Sequence, residues 1–521
     1  MIQKPKYDRF ALSAFFGVLG VALLLMGGHS YSIDEETNLA TTRSLLNGRY
    51  FIDLTSVPRE ALVVAPGRDG RLTSFYGIGN ALFSVPTYAV GKVASFLVAS
   101  EWREMIIRLF YFSTNSFGLA FAALGFFRIA KNVGLESRRS FFISITMTFG
   151  TCLVSTARMG FAEPLTGLFL LWAFVEMTKS LSVRDENHRQ TNLYLVGLFL
   201  GCAVMMRPSA LIFVPVIGLC ATVVSKDPWI RSSLRVAIGL SGPGLLIGLA
   251  NLWRFGNVFE TGYPKLPYTT PWYEGAVGQW LGSGKGLVWY APLVLLFVVA
   301  IPRLWQQFRS VAVMSAVVVL SNTAIFSRFA IWSGDNAYGP RYLTIVLPFM
   351  LGVTIFALHL EFVGWRRLLA ILGFGLNAGG NLVYLNAVYF KKLPAIVNHL
   401  GPSANSPAGG YDWDKVREAI NFVPRFSQWK MHLELLPSAI ASTWESAFDS
   451  KQAMPPFAGG VMQSLSWYSA TIRLDTWWSH WLAAGGPLFT LSLTVPPILM
   501  IVWASLQLSV HKSERYDLES T

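Results

Sequence analysis

The chain has 521 residues, of which 53% are hydrophobic and 14% charged, with a formal net charge of +13. An ordinary soluble domain carries about 25% charged residues, so these values exclude a soluble protein and point to a chain dissolved in lipid. The positive balance has two candidate causes, nucleic-acid binding or basic loops biased to the cytoplasmic side. The basic residues stand in short loops between apolar stretches, which favours the second and excludes a nucleic-acid partner.

Crossing a bilayer takes about 20 apolar residues, and candidate stretches recur along the whole chain. They fall near 10–30, 75–99, 105–128, 140–157, 163–180, 191–206, 209–225, 233–253, 286–303, 310–329, 341–360, 367–389 and 486–509. The first lacks a small-residue cleavage site and is read as a retained span rather than a signal peptide. Placing Lys4, Lys6 and Arg9 in the cytoplasm puts the acids that follow, Asp34, Glu35 and Glu36, outside. If 75–99 also crossed, the basic residues Arg128, Lys131, Arg138 and Arg139 would lie outside, against the charge bias. With 75–99 laid along the outer surface, the later basic loops (Lys179 to Arg189, Lys226 to Arg235, Arg303 to Arg309, Arg366 and Arg367, Lys512 and Arg515) all fall inside. The expected architecture is therefore an all-α polytopic membrane protein of about twelve spans, multi-pass, with both termini cytoplasmic. Gly77, Gly79, Pro86 and Gly91 predict a broken, interfacial helix pair over 75–99.

Pro208 biases Arg207 away from helix and predicts a tight outer turn between 191–206 and 209–225. Three regions result: a transmembrane module over 1–390, an outer-face loop region over 391–485, and a last span with a cytoplasmic tail over 486–521. Within the loop region, Asp412–Phe422 and Met431–Ala447 have helical apolar spacing and predict a small cap. Trp477, Trp478 and Trp481 read as an interfacial aromatic belt. The cysteines, Cys152, Cys202 and Cys220, fall in apolar stretches without CxxC spacing and read as small core residues.

A carboxylate at the rim of a membrane is costly without a task, so the charges at span ends are the candidate site. Asp34, Glu35, Glu36, Glu163 and Asp335 supply negative charge on one face; Arg158, Arg207, Arg254, Lys285 and Arg341 supply positive charge. A carboxylate in a partly dried cleft suits general-base work, and guanidinium groups suit phosphate. Structural roles compete at each position. Glu35 and Glu36 can cap a helix or pair with Arg43, Glu163 can answer a helix dipole, and Arg207 can anchor a turn to headgroups.

Several segments together carry a resemblance: Ile33-Asp34-Glu35 with Leu45-Leu46-Asn47-Gly48; Ser74-Phe75-Tyr76-Gly77-Ile78-Gly79; Ala157-Arg158-Met159-Gly160-Phe161-Ala162-Glu163-Pro164; Gly282-Ser283-Gly284-Lys285-Gly286; and Trp332-Ser333-Gly334 with Gly339-Pro340-Arg341-Tyr342-Leu343. In order and shared face these resemble the polyprenyl-phosphate-sugar-dependent glycosyltransferases of the GT-C superfamily. That group includes protein O-mannosyltransferases, the lipid A aminoarabinose transferase and oligosaccharyltransferases. The resemblance covers about residues 10–390 and implies a GT-C-like fold, a prokaryotic plasma membrane and an outer-face active site. It implies a polyprenyl-phosphate-linked sugar as donor and a glycan, lipid or protein as acceptor, with membrane lipids around the chain. Asp34 with Glu35 would be catalytic, Asp34 as the base of an inverting transfer. Glu163, Arg158, Arg207, Lys285, Asp335, Arg341, Tyr342 and Tyr76 would bind substrate.

Relatives in this group often have Asp where Glu163 stands. Some hold a divalent cation between such acids, which makes that cation the one candidate cofactor. No matching Asp-x-Asp pair accompanies these acids, and the histidines (His29, His359, His399, His432 and His480 among them) lack ligand spacing, so no metal is assigned. The competing function is a transporter or flippase of lipid-linked saccharides. Transporters place their charges near the midplane, often in repeated halves; here the acids gather at one face and no duplicated halves are evident.

Overall fold

The structure is a computed structural model that describes residues 8–54, 59, 62–182, 192–225, 227–263, 267–334, 337–406, 410–448, 472–486 and 488–519. Its helices are α1 Arg9–Leu25, α2 Ile33–Leu46, α3 Ile78–Ala94, α4 Arg103–Asn132, α5 Ser137–Phe149, α6 Leu153–Ala157, α7 Ala162–Ser182, α8 Leu193–Met206, α9 Phe213–Ser225 and α10 Trp229–Phe255. They continue as α11 Trp272–Trp280, α12 Leu287–Tyr290, α13 Leu295–Gln307, α14 Arg309–Ser327, α15 Leu347–Leu358, α16 Trp365–Leu382, α17 Leu385–Leu400, α18 Trp413–Phe422, α19 Gln428–Phe448, α20 Trp477–Ala483 and α21 Val495–Glu519. The sheet among the described residues is one small antiparallel hairpin, Val64–Pro66 against Leu72–Ser74. The fold is thus all-α and polytopic. Five described helical stretches (Ser100–Asn132, Pro208–Ser225, Trp229–Phe255, Arg309–Ser327 and Leu491–Leu508) are long and apolar enough to cross a membrane, and four shorter apolar ones accompany them.

The loops at one end of the bundle are tied together. The Ser137 hydroxyl donates to Asp8 at 2.7 Å, and Arg139 donates to the Leu360 carbonyl at 3.0 Å while pairing with Glu361 at 2.9 Å. The start of α1 and the two loops around 136–139 and 359–367 therefore share one end, while Lys4 and Lys6 lie outside the described residues. Arg184, Arg189 and Lys226 lie outside the described residues. From this end α1 runs about 25 Å, at 1.5 Å per residue, to the region of the acids.

The segment 75–99 differs from expectation. It is one helix, α3, continuous through Pro86 and followed by a single turn of 3-10 helix. Packing explains the continuity: α3 lies antiparallel on α4, with Thr87 and Thr114 hydroxyls 2.6 Å apart and Gly91 against Ile107 and Phe110. The turn at Arg207 and Pro208 forms as predicted, between α8 and a 3-10 turn leading into α9.

The cap helices also form. Asp412 accepts from the N–H groups of Asp414 and Lys415 to start α18, and Val416, Ile420, Phe426, Met431 and Leu435 share an apolar core separate from the main one. The tryptophans before the last helix are not a lipid-facing belt. Trp477 and Trp481 are buried, and the Trp477 and Trp478 indoles donate to the Leu23 and Leu24 carbonyls at the end of α1, groups a helix leaves unsatisfied. All three cysteines are free and buried.

Candidate active site

The three neighbouring acids occupy the first turn of α2, where the helix dipole favours them, and then separate. Residues 35–42 of α2 are buried although most are polar, because the Thr37, Thr41 and Thr42 hydroxyls donate to carbonyls four residues back. Glu35 takes the capping-box position: it accepts from the N–H of Ser32 at 3.0 Å, from that of Tyr31, and from that of Gly160 at 2.6 Å. It is fully buried and clamps the start of α2 to the 158–163 loop, so its carboxyl does not reach the cavity described below. Glu36 pairs with the buried Arg108, which also bonds Glu104 at 3.1 Å, and Arg43 pairs with Glu104 at 2.8 Å rather than with either neighbouring acid.

Two predictions arise from this division. Burial pushes the Glu35 carboxyl from 4.5 up to about 8, against the opposing pull of its three backbone donors. A raised folded-state value means the folded protein holds the proton more tightly. Stability from this group is complete below about pH 4.5 and declines as pH rises toward 8. Thermal unfolding across that window should show the decline, and Glu35→Gln should flatten it. Separately, Glu36→Gln leaves the buried Arg108 with Glu104 as its carboxylate partner among the described residues, and should cost about 3 kcal/mol of unfolding free energy, the low end for breaking a buried pair. A chemical-denaturation midpoint equal to wild type would contradict that reading.

Asp34 alone of the three faces a cavity of about 350 Å³. The cavity is walled by the start of α2, the loop before α3 (Phe75, Tyr76), the start of α7 (Phe161, Glu163), the end of α8 (Arg207), the loop after α10 (Tyr263, Tyr268), the end of α14 (Phe326, Phe329), Gly334, and the 3-10 turn carrying Arg341 and Tyr342. Two glycines permit this convergence. A Cβ on Gly79 would stand 2.6 Å from the Met205 backbone, so its absence seats α3 against the end of α8. Gly334 has φ +72° and lies where a Cβ would meet that of Arg341 at 2.5 Å.

Within the cavity the charges alternate. Asp34 Oδ1 accepts from the Tyr76 hydroxyl at 2.6 Å, and Asp34 Oδ2 accepts from Arg341 Nη2 at 2.9 Å. Arg341 Nε donates to Glu163 Oε1 at 2.5 Å, and Arg207 donates to the same oxygen. Burial and the Asp34 charge both push the Tyr76 hydroxyl upward, so Tyr76 is a permanent donor to Asp34. The Arg341 guanidinium lies 3.7 Å from the Phe161 ring centroid, and Arg207 lies over Phe326 and Tyr342, which are themselves stacked at 4.5 Å. Glu163 Oε2 is buried with no hydrogen-bond partner among the described residues, so one acceptor is left for an incoming donor group. Arg341 occupies the space between the two carboxylates, the place a bridging divalent cation would take.

Asp34, Tyr76, Glu163, Arg207, Arg341 and Tyr342 therefore share one cavity, and three expected members, Glu35, Lys285 and Arg158, do not. Lys285 is buried and donates to the Ala337 carbonyl at 2.6 Å. Its glycine loop is covered by α18, the Gly284 N–H donating to the Asn421 carbonyl at 2.9 Å, so no phosphate reaches it. Arg158 is buried behind the cavity, donating to the Gly380 carbonyl at 2.8 Å and to Asp475 at 2.6 Å. Asp335 lies outside the described residues. Tyr263, Phe161 and Phe326 were missed on sequence. Phe161 stands between Arg158 and Glu163, a position that is itself a local signal; nothing local distinguishes the other two.

No protein-family model matches the chain, and no curated protein does. Among solved structures the chain is similar to the crystal structure of ArnT from Cupriavidus metallidurans bound to undecaprenyl phosphate, with 13% identity and a TM-score of 0.43, over 94% of this chain and 77% of that one. It is similar also to the same protein in the apo state, again with 13% identity and a TM-score of 0.43, over 90% of this chain and 74% of that one.

Proposed function

We propose that this protein is a glycosyltransferase that moves a sugar from a polyprenyl-phosphate carrier to a cell-envelope acceptor, inverting the anomeric carbon, with Asp34 as general base. One observation carries the reading: in a many-helix membrane protein, a carboxylate and two guanidinium groups meet in a single half-open cavity at the helix ends. The acceptor hydroxyl attacks the anomeric carbon, its proton passes to Asp34, and the carbon–oxygen bond to phosphate breaks with its electron pair staying on the phosphate. No protonating acid is required, because Arg341 and Arg207 stabilise the leaving anion. Donor binding supplies the base: the phosphate competes with Asp34 for Arg341 and frees the carboxylate to take a proton. Tyr76 holds Asp34 in place while this exchange occurs, and the unpartnered oxygen of Glu163 is the acceptor left for a sugar hydroxyl.

An apolar groove of about 510 Å³, lined by Phe83, Phe117, Leu165, Phe169 and Phe199 along α3, α4, α7 and α8, offers a berth for the isoprenoid chain. The basic loops around 136–139 and 359–367 gather at the opposite end of the bundle, and the positive-inside bias supports a cytoplasmic position for that end and an outer-side position for the cavity. The test is purified protein in lipid vesicles given a polyprenyl phosphate bearing a radiolabelled sugar, with envelope extract as acceptor. Label leaving the lipid with release of polyprenyl phosphate supports the transferase. Label crossing the bilayer still attached to lipid identifies a flippase instead.

A further inference from the structure

Behind the cavity, His29 from the end of α1 and His480 from α20 converge on Asp475, although 446 residues separate His29 from that carboxylate. His29 Nε2 lies 2.7 Å and His480 Nε2 lies 2.8 Å from the same oxygen, Asp475 Oδ1, and the three ligand atoms lie within 4.8 Å of one another. All three side chains are buried to 1% or less. The other oxygen, Oδ2, is held by the Tyr31 hydroxyl and the Arg158 guanidinium, each at 2.6 Å, which leaves Oδ1 for the two imidazoles.

His29 Nδ1 lies 3.0 Å from the Ser30 carbonyl, which can only accept, so Nδ1 carries a proton and Nε2 turns toward the carboxylate. A backbone carbonyl on the far ring nitrogen is the arrangement that orients metal-bound histidines. The cluster packs so closely on the α1 end that only glycine fits at position 27: a Cβ there would stand 2.5 Å from the Tyr31 hydroxyl, 2.9 Å from His29 Nε2 and 3.1 Å from Asp475 Oδ1.

We propose that His29, Asp475 and His480 form a zinc site that ties the end of the first helix to the segment before the last. Two imidazoles and a carboxylate suit zinc, with a water as fourth ligand. At metal–ligand distances of about 2.0–2.1 Å each ring would move back from Oδ1 by about half an ångström. The ion would hold Asp475 in place and, through it, Arg158 and the loop that carries Glu163. The expectation from spacing alone, that the histidines hold no metal, is replaced by this assignment because the fold joins distant segments.

The test is elemental analysis of full-length protein purified in detergent without chelator, then equilibrated with zinc and dialysed. About one zinc per chain is expected, and a chelator should lower Tm reversibly. His480→Gln keeps an amide donor to Asp475 but a poor metal ligand, and should lose both the zinc and the chelator effect. His480→Cys should retain the metal and, with cobalt, show a sulfur-to-metal charge-transfer band. Wild-type protein that is folded but metal-free after equilibration, with a Tm indifferent to chelator, overturns the site and leaves a cluster joined by shared protons.

Discussion

Asp34→Asn should lower sugar transfer by about 10²–10⁴-fold, the range a positioned general base supplies, while binding of polyprenyl phosphate tightens. The substitution is isosteric, and an amide oxygen still accepts from Tyr76. The amide nitrogen, however, turns a donor toward Arg341 Nη2, where the wild-type carboxylate accepts at 2.9 Å. Arg341 thus loses a competing anion and becomes freer to take phosphate. Loss of rate with gain of affinity is a pattern that misfolding cannot produce, since misfolding weakens both. Kinetics with a labelled donor, beside a binding titration with the lipid phosphate alone, measures the two quantities. Wild-type turnover in the mutant removes Asp34 from the chemistry.

Arg341→Lys should lower kcat/KM by about 10²–10³-fold, comparable to removing one donor that stabilises developing charge. The charge is retained, so the effect isolates geometry. Arg341 addresses Asp34 through Nη2 and Glu163 through Nε, two carboxylates on different helices. An ammonium group is a single point of charge without that fork. It can satisfy Glu163 or Asp34, and a lipid phosphate arriving between them meets one donor group where it had several. Weaker binding of the lipid phosphate should accompany the slower transfer. Activity in Arg341→Lys equal to wild type contradicts the role given to the fork.

The parts of the site that were legible in the sequence share a property: each charge sits where an apolar stretch ends, so its exposure to a common face follows from the span pattern alone. Asp34, Glu163, Arg207 and Arg341 are all of this kind, and all line the cavity. Tyr76 and Tyr342 were found by the segments they belong to. What was not legible depends on tertiary pairing. Nothing in three consecutive acids says which enters the cavity, because helical rotation about α2 and the partners Gly160 and Arg108 decide it. Arg158 was grouped with the phosphate-binding residues because its neighbours are; its actual partner, Asp475, is 317 residues away. Lys285 reads as accessible between two glycines, but Gly284 admits α18 and Gly286 packs on Gly282 of its own loop, so neither admits a ligand. The same blindness hid the convergence of His29 and His480.

The fold divides in the same way. The many-helix architecture and the turn at Arg207 follow from apolar runs and one proline, as local signals should. The continuity of α3 through Pro86 does not, because close packing on α4 overrides the local tendency of proline to break a helix. The burial of Trp477 and Trp481 likewise depends on the carbonyls of α1 waiting at that position.

The exchange at Arg341 is the core of the account, and a structure of the purified protein with a polyprenyl phosphate bound tests it most directly. The phosphate should lie within hydrogen-bond distance of Arg341 and Arg207, with the Asp34 carboxylate released from Arg341 and still held by Tyr76. A phosphate bound elsewhere, with the Asp34–Arg341 pair intact, contradicts it.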